Sequence, residues 1–292
     1  MLTRYKCPDG KEREISQCLN GCITNERFEC GRCLSYRMLR EMASEREWSG
    51  MPTVTQLLSG TRAEYLKITK EYAVTPQSMI AAYLGSSCHA QLEQAADEGR
   101  MLREKRLLDP TGTYTGQFDC YDTQEKILYD TKTYGSYKAA QVLGVEAQKK
   151  AMLNPATGEF VLTPRGKMRY EKSYVRTVRK MREVTLQLNA YRIMLEAAGY
   201  PVKEMRLEII VRDGGTWLAK DRGVFQNAYL VKINRVSDRW LQRFMLAKAR
   251  MLTEALKAKK MPPPCRPIEC WGGLKCKDFC AVEQFCREDD GN

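Results

Sequence analysis

The stretch GQFDCYDTQEKILYDTK, residues 116 to 132, constrains the fold more than any other part of the chain. Its flanks are rich in β-branched and aromatic residues, and Asp-Thr-Gln-Glu at 122 to 125 is turn-forming, so two short strands joined by a turn are expected. Side chains alternate along a strand. Asp130 and Lys132 therefore share a face, and Thr131 points away. With the turn centred near Gln124–Glu125, Asp119 falls opposite Asp130. Two carboxylates and a lysine at one spot are costly unless a cation or a reaction uses them. The turn residues between them read as replaceable.

A chain of 292 residues has room for one large domain or two small ones, and 43% apolar content suits a packed core rather than wholesale disorder. The formal net charge is +12 and the sequence pI is about 9.1, which points to a polyanionic partner, most often nucleic acid. No apolar run is long enough to span a bilayer, and no charged-then-apolar leader opens the chain. A cytoplasmic protein with no membrane partner is expected. Twelve cysteines in a reducing compartment argue for metal ligation rather than disulfides. His89 is the only histidine, so Cys2His2 fingers are excluded.

Three segments follow from this composition: a Cys-rich start (1–33), a long core (34–260) and a Cys-rich end (261–292). The first holds Cys7, Cys18, Cys22, Cys30 and Cys33 with few aliphatic residues, so bound metal would have to replace a core. From Leu34 to Glu47 the pattern is helical, and residues 53 to 70 read as two short helices broken at Ser59–Gly60. A stronger helix starts with Thr75 as N-cap and Pro76 at its first position and ends before Gly99. Its apolar stripe runs through Ile80, Leu84, Cys88 and Leu92. A second face carries Ala82, Gly85, Ser86, His89 and Glu93, small enough for close backbone approach. Cys88 and Cys120 lie inside regular elements and read as packing residues.

Residues 133 to 164 look mixed and partly loop-like. The next run carries Arg165, Lys167, Arg169, Lys172, Arg176, Arg179, Lys180 and Arg182, with Tyr170 and Tyr174 interleaved. It is either a solvated helix face or a phosphate-tracking surface with stacking aromatics; its direct lead into the following motif favours the second. That motif, QLNAYRIMLEAAG, puts Leu186, Ala190, Ile193, Met194 and Ala197 on a buried helical stripe, with Gln187 and Tyr191 paired one turn apart beside it. Strands are expected near 205–212 and 228–233, then a helix capped by Ser237 that three prolines stop at 262–264. The end of the chain spaces Cys270, Cys276, Cys280 and Cys286 as C-x5-C-x3-C-x5-C, with Cys265 before them, which is a metal-binding pattern. No internal repeat is found.

Taken together, His89 on a helix, GQFD with Asp119, DTK with Asp130 and Lys132, and QLNAY with Gln187 and Tyr191 resemble the PD-(D/E)XK nuclease superfamily in its RecB-like exonuclease branch. The four motifs occur in the family's order across roughly residues 75 to 200. The flanking cysteines extend the resemblance to the branch's iron–sulfur nucleases, including the CRISPR-adaptation exonuclease and the AddB-type nuclease domain, and to phage-encoded relatives. The resemblance implies an α/β, restriction-endonuclease-like core with a mixed central sheet flanked by helices. It also implies DNA phosphodiester hydrolysis, with His89, Asp119, Asp130 and the Thr131 carbonyl on Mg²⁺ or Mn²⁺. Lys132 would position or activate the attacking water and offset developing phosphate charge, and Gln187 and Tyr191 would orient DNA or support the catalytic residues. Glu93 is a weaker candidate. The chemistry suits the residues, because carboxylates with one imidazole fit a hard cation and a lysine held near neutrality beside it could move a proton.

Two allocations of the cysteines are open. In one, which the resemblance favours, Cys33 joins Cys276, Cys280 and Cys286 around a [4Fe–4S] cluster while Cys7, Cys18, Cys22 and Cys30 bind Zn²⁺. In the other, Cys270, Cys276, Cys280 and Cys286 suffice and Cys33 joins the N-terminal set. The expected substrate is DNA, single-stranded or with free ends, with a helicase or recombinase as partner. Two competing functions are a non-catalytic DNA-binding module of a recombination or replication complex and a zinc-rich RNA-binding protein.

Overall fold

The computed structural model describes residues 1–22, 32–44, 48–94 and 99–290, so Cys30 lies outside the described residues. The chain opens with strands β1 (Leu2–Lys6) and β2 (Glu12–Glu14) and helices α1 (Ile15–Asn20), α2 (Tyr36–Met42), α3 (Val54–Leu58) and α4 (Thr61–Thr69). Strand β3 (Tyr72–Val74) and the long helix α5 (Pro76–Glu93) lead to β4 (Met101–Arg103), β5 (Arg106–Leu108), β6 (Thr115–Gln117), β7 (Cys120–Asp122) and β8 (Ile127–Tyr134). Then come α6 (Ser136–Leu143), β9 (Val145–Ala151), β10 (Tyr170–Arg176), α7 (Arg182–Ala197), β11 (Glu204–Val211), α8 (Trp217–Asp221) and β12 (Ala228–Ile233). Helices α9 (Asp238–Ala258), α10 (Leu274–Asp278) and α11 (Glu283–Asp290) complete the chain. The fold is mixed α/β, and no helix among the described residues is long and apolar enough to cross a membrane.

A five-stranded sheet of order β12-β11-β8-β7-β4 forms the centre, with β8 and β11 parallel and the other pairs antiparallel. Strand alternation sorts its faces. Leu128, Met205, Leu207, Ile209, Val231 and Ile233 line one face and join the main core beneath α7 and α9. The other face carries Thr131, Arg206 and Glu208, and α5 lies over part of it: Gly85 is close enough that an added Cβ would sit 3.4 Å from Thr133 Oγ1. Asp130 and Lys132 sit on the apolar face by the same alternation, which is why a carboxylate ends up with 0% exposure.

Local chemistry explains the element boundaries. Thr53 and Gln56 make a reciprocal capping box at α3, and Ser237 accepts from the Trp240 amide at the start of α9. Asp122 ends β7 and shapes the turn, accepting from the Gln124 and Glu125 amides at 2.9 Å each and from Arg100 Nε at 2.8 Å. The turn is therefore not freely replaceable: Asp122 is buried and holds four donors, two of them from Arg100, although Gln124 and Glu125 contribute only their amides to it.

Several expectations change. The expected apolar stripe of α5 is not buried; Leu84 and Leu92 are about half exposed, and only Pro76 is buried in that helix. Ala197 is exposed at the end of α7, while Leu186, Ala190, Ile193 and Met194 are buried as expected. The basic run is not a helix. Its middle forms β10, paired antiparallel with β9, the bridges Leu153↔Phe160 and Leu162↔Met168 extend the pair into a two-stranded arm, and Arg182 begins α7. A helix, α6, occupies part of the stretch read as loop-like.

The two Cys-rich ends are anchored to the rest of the chain. β1 pairs in parallel with β3, which ties the first residues to the segment beyond 34. At the other end Val282 is buried with Leu66 and Leu252 of α4 and α9. Lys248 Nζ reinforces that seam by donating to Ser59 O at 2.8 Å and Glu269 Oε1 at 2.5 Å.

Candidate active site

The site forms where the chain breaks between β6 and β7. Asp119 sits in that break, one residue before the Cys120↔Tyr129 pair, so it lies across from Asp130 as the register predicts. Its Oδ2 accepts the Thr131 amide at 2.7 Å, fixing the carboxylate over the start of the Asp130–Thr131–Lys132 run. Lys132 Nζ donates to Asp130 Oδ1 at 2.7 Å. Asp130 Oδ2 is buried without a hydrogen-bond partner. A buried anionic oxygen left bare is expensive.

His89 reaches this point from α5. Its Nδ1 is 3.6 Å from Asp119 Oδ2 and 3.7 Å from Glu104 Oε1. One donor atom from each of His89, Glu104 and Asp119 lies within 4.8 Å of the others, a spacing that suits one cation. Glu104 is held by Gln117 Nε2 at 2.7 Å and by its own amide, which donates to Asp119 O at 3.0 Å. Its backbone has φ 47°, a left-handed conformation uncommon for a non-glycine residue, at the corner between β4 and β5. Sequence reading missed Glu104. It stands in the charged run 103–106, where one acid among basic residues carries no pattern of its own. Glu93, the weaker candidate, is exposed in the last turn of α5.

The electrostatics follow from burial and crowding. Burial pushes the Asp130 carboxyl up to about 6; Lys132 opposes the rise and the Asp119 charge adds to it. Burial also raises Asp119, against the pull of Lys132 and His89. Lys132 feels both carboxylates. Burial lowers its proton affinity, but the Asp130 and Asp119 carboxylates raise it further, so the ammonium is held charged.

Gln187 and Tyr191 make the wall on α7, with Gln187 Nε2 donating to Tyr191 Oη at 3.0 Å. Tyr191 packs tightly because residue 116 is glycine. A Cβ there would stand 2.8 Å from both the Tyr191 ring and Met194 Sδ. Burial raises the Tyr191 phenol, and Asp130 is among its electrostatic neighbours. Thr131 enters through its amide and through its hydroxyl, which donates to Glu208 Oε2 at 2.9 Å on the opposite face.

Of the basic candidates on the arm, Arg165, Lys167, Arg169, Arg176, Arg179 and Lys180 are exposed. Lys172 is committed to an ion pair with Asp221. Alternation places Tyr170, Lys172, Tyr174 and Arg176 on one face of β10, opposite Lys149. The inner end of that face docks on the body: Tyr174 packs edge-on to Phe225 at 5.1 Å, and its hydroxyl donates to Lys220 O at 2.9 Å.

The thiols fall into two groups. The electrostatic neighbours of Cys33 are Cys22 and Cys7, and those of Cys18 are Cys7, Cys33 and Cys22. Cys276 neighbours Cys270, Cys280 and Cys265, and Cys286 neighbours Cys265, Cys280 and Cys276, with burial pushing the Cys286 thiol up to about 11. No three of the described thiols lie within 4.8 Å of one another, so their spacing selects neither allocation. Cys265 lies against the start of α4, where the Ala63 amide donates to its sulfur and glycine is required at 60: a Cβ there would be 2.2 Å from Sγ.

No family model matches the chain, and no curated protein matches it. Among solved structures it is similar to one described as "Crystal structure of SSO0001", at 15% identity and a TM-score of 0.42, over 86% of this chain and 92% of that one.

Proposed function

We propose that this chain is a divalent-cation-dependent DNA nuclease with a restriction-endonuclease-like core, hydrolysing phosphodiester bonds and acting from strand ends. One observation carries the reading: His89, Glu104 and Asp119 converge within 4.8 Å beside the bare Oδ2 of Asp130 and the ammonium of Lys132. Oxygen-rich donors with one imidazole fit Mg²⁺ or Mn²⁺, and the orphaned carboxylate oxygen supplies a further ligand.

A bound Mg²⁺ or Mn²⁺ supplies Lewis acidity toward phosphoryl oxygen and acidifies a coordinated water. The residues of the chain divide the remaining work. Asp119, Glu104, His89 and the Oδ2 of Asp130 would hold the cation. Lys132, held charged by the two carboxylates, sits where negative charge grows on the phosphate and offsets it. Tyr191, steadied by Gln187, forms the wall against which the scissile strand is oriented. The arm's exposed arginines and lysines supply phosphate affinity independent of base sequence. The C-terminal thiols Cys265, Cys276, Cys280 and Cys286, with Cys270 beside Cys276, suit a [4Fe–4S] cluster that fastens this end to α4 and α9.

Incubation of the purified chain with end-labelled single- and double-stranded DNA, with Mg²⁺, Mn²⁺ or chelator, tests the proposal. Cation-dependent release of short products from ends supports it. Binding without cleavage under every condition would leave a non-catalytic DNA-binding module instead.

A further inference from the structure

One face of the arm is an exposed apolar strip that the proposed reaction leaves unused. Antiparallel partners share a face, and side chains alternate along each strand. The pairs Tyr170↔Ala151, Lys172↔Lys149 and Tyr174↔Ala147 therefore define one face, and the bridges Leu153↔Phe160 and Leu162↔Met168 carry it outward. Val161 ties the outer turns together, its amide donating to Met152 O at 2.9 Å and its carbonyl accepting from the Arg169 amide at 2.8 Å. By this register Leu153, Phe160, Leu162, Met168, Tyr170 and Tyr174 fall on the same side of the arm. Each is between 39% and 57% exposed. The other side carries Met152 among Glu146, Gln148, Lys150, Glu171 and Ser173.

A continuous apolar strip in water marks a contact surface, and the charge around this one says what covers it. Residues 145–180 hold nine lysines and arginines against three glutamates. Lys149 and Arg176 stand on the apolar face itself, and the exposed Arg165, Lys167 and Arg169 flank its outer end. A second copy of the arm would set like charge against like charge, which opposes self-pairing. The fitting occupant is anionic and offers flat apolar faces. Intact duplex DNA meets the first condition but keeps its base faces stacked inside the helix. A single strand meets both, with phosphates for the cations and free base faces for the aromatic and aliphatic side chains. From Met168 to Arg176 the face runs about 27 Å at the rise of an extended strand, which is room for several nucleotides.

We propose that this face of the arm binds the unpaired bases of single-stranded DNA, with Phe160 and Tyr170 as its stacking residues. The inference rests on the nuclease reading for the identity of the polyanion, and it adds a preference for strands whose bases are already free. The cations then act together with the apolar strip, the first on the phosphates and the second on the bases.

Equilibrium binding in chelator, where no cation-dependent cleavage occurs, separates this contact from the reaction. The probes are a thymidine single strand and an abasic single strand with the same number of phosphates. The full-length protein is expected to bind the thymidine strand about tenfold more tightly or better at equal salt, the order of effect that stacking on an aromatic ring supplies. Phe160→Ala combined with Tyr170→Ala is expected to erase that difference and leave the salt slope unchanged, because every cation remains. Tyr170→Phe keeps the ring and is expected to keep the preference. Should the double variant fail to fold, photocrosslinking of a 5-iodouracil strand to the unaltered protein reads the same contact: adducts are expected on the strip, at Phe160 and Tyr170. Equal affinity for the two strands would overturn the proposal and leave the strip to a protein partner. So would a preference that survives in the double variant, or adducts confined to other segments. A thymidine preference in a protein that never cleaves DNA would keep this contact and remove the nuclease reading; cleavage without the preference would do the reverse.

Discussion

Lys132 Nζ bonds one oxygen of Asp130 at 2.7 Å, while the other oxygen of that carboxylate is buried and bare. The pair is half satisfied. A buried carboxylate oxygen with no donor lowers stability, and packing alone gives no reason to keep one. The proposed function supplies that reason, because a cation or a substrate donor would complete the carboxylate.

That relationship predicts the pH response of the chelated protein. A carboxyl whose folded pKa is raised binds its proton more tightly when folded, so it subtracts stability at neutral pH. The deficit fades as pH falls through about 6 towards the unfolded value near 4. Lys132 stays charged across this range and contributes no slope. Thermal unfolding between about pH 8 and pH 5 should show the parent gaining stability relative to Asp130→Asn on acidification. A pH-independent gap between the two would sink the assignment. In cleavage assays Asp130→Ala and Lys132→Ala should lose activity while retaining most DNA binding; persistent cation-dependent nicking by both would refute their roles.

Glu104 distinguishes the structure-based site from the sequence-based one. Glu104→Gln should weaken Mn²⁺ binding, measured calorimetrically, and reduce cleavage, whereas the exposed Glu93→Gln should behave as the parent. Gln117→Ala, which frees Glu104 to move, should cost about 10- to 100-fold in cation affinity, the usual size for a ligand's supporting partner. Equal behaviour of the Glu104 and Glu93 variants would remove Glu104 from the site.

The arm predicts a salt dependence. Replacing Arg165, Lys167 and Arg169 together by alanine should lower DNA affinity and flatten the slope of log K against log salt by roughly 0.7 to 0.9 for each phosphate left unneutralised. The rate at saturating DNA should hold. Lys172→Ala should leave the slope unchanged because its ammonium already pairs with Asp221. A triple variant with the parent's slope would take the arm off the DNA path.

Asp122 separates scaffold from chemistry within one hairpin. Asp122→Ala leaves two turn amides and Arg100 without their acceptor and should destabilise the fold by about 1–3 kcal/mol in urea unfolding. Its Mn²⁺ affinity should match the parent's at temperatures where both are folded. A weakened cation site would show that the turn does more than shape the strands.

The sequence by itself determined the strand alternation, and with it the shared face of Asp130 and Lys132. It also determined the register that sets Asp119 across from Asp130 and the i, i+4 pairing of Gln187 with Tyr191. These are local relations, fixed by the period of a strand or helix and by the length of one turn. Tertiary structure decided what no period encodes. It brought Glu104 from a corner of unremarkable charge to His89 and left the α5 stripe partly exposed. It paired the middle of the basic run with β9. It also set Arg32 against the Cys18 and Leu19 carbonyls at the end of α1. Contacts of this kind join residues far apart in the chain, and the free energy that selects among them comes from packing and charge pairing that only the assembled fold defines.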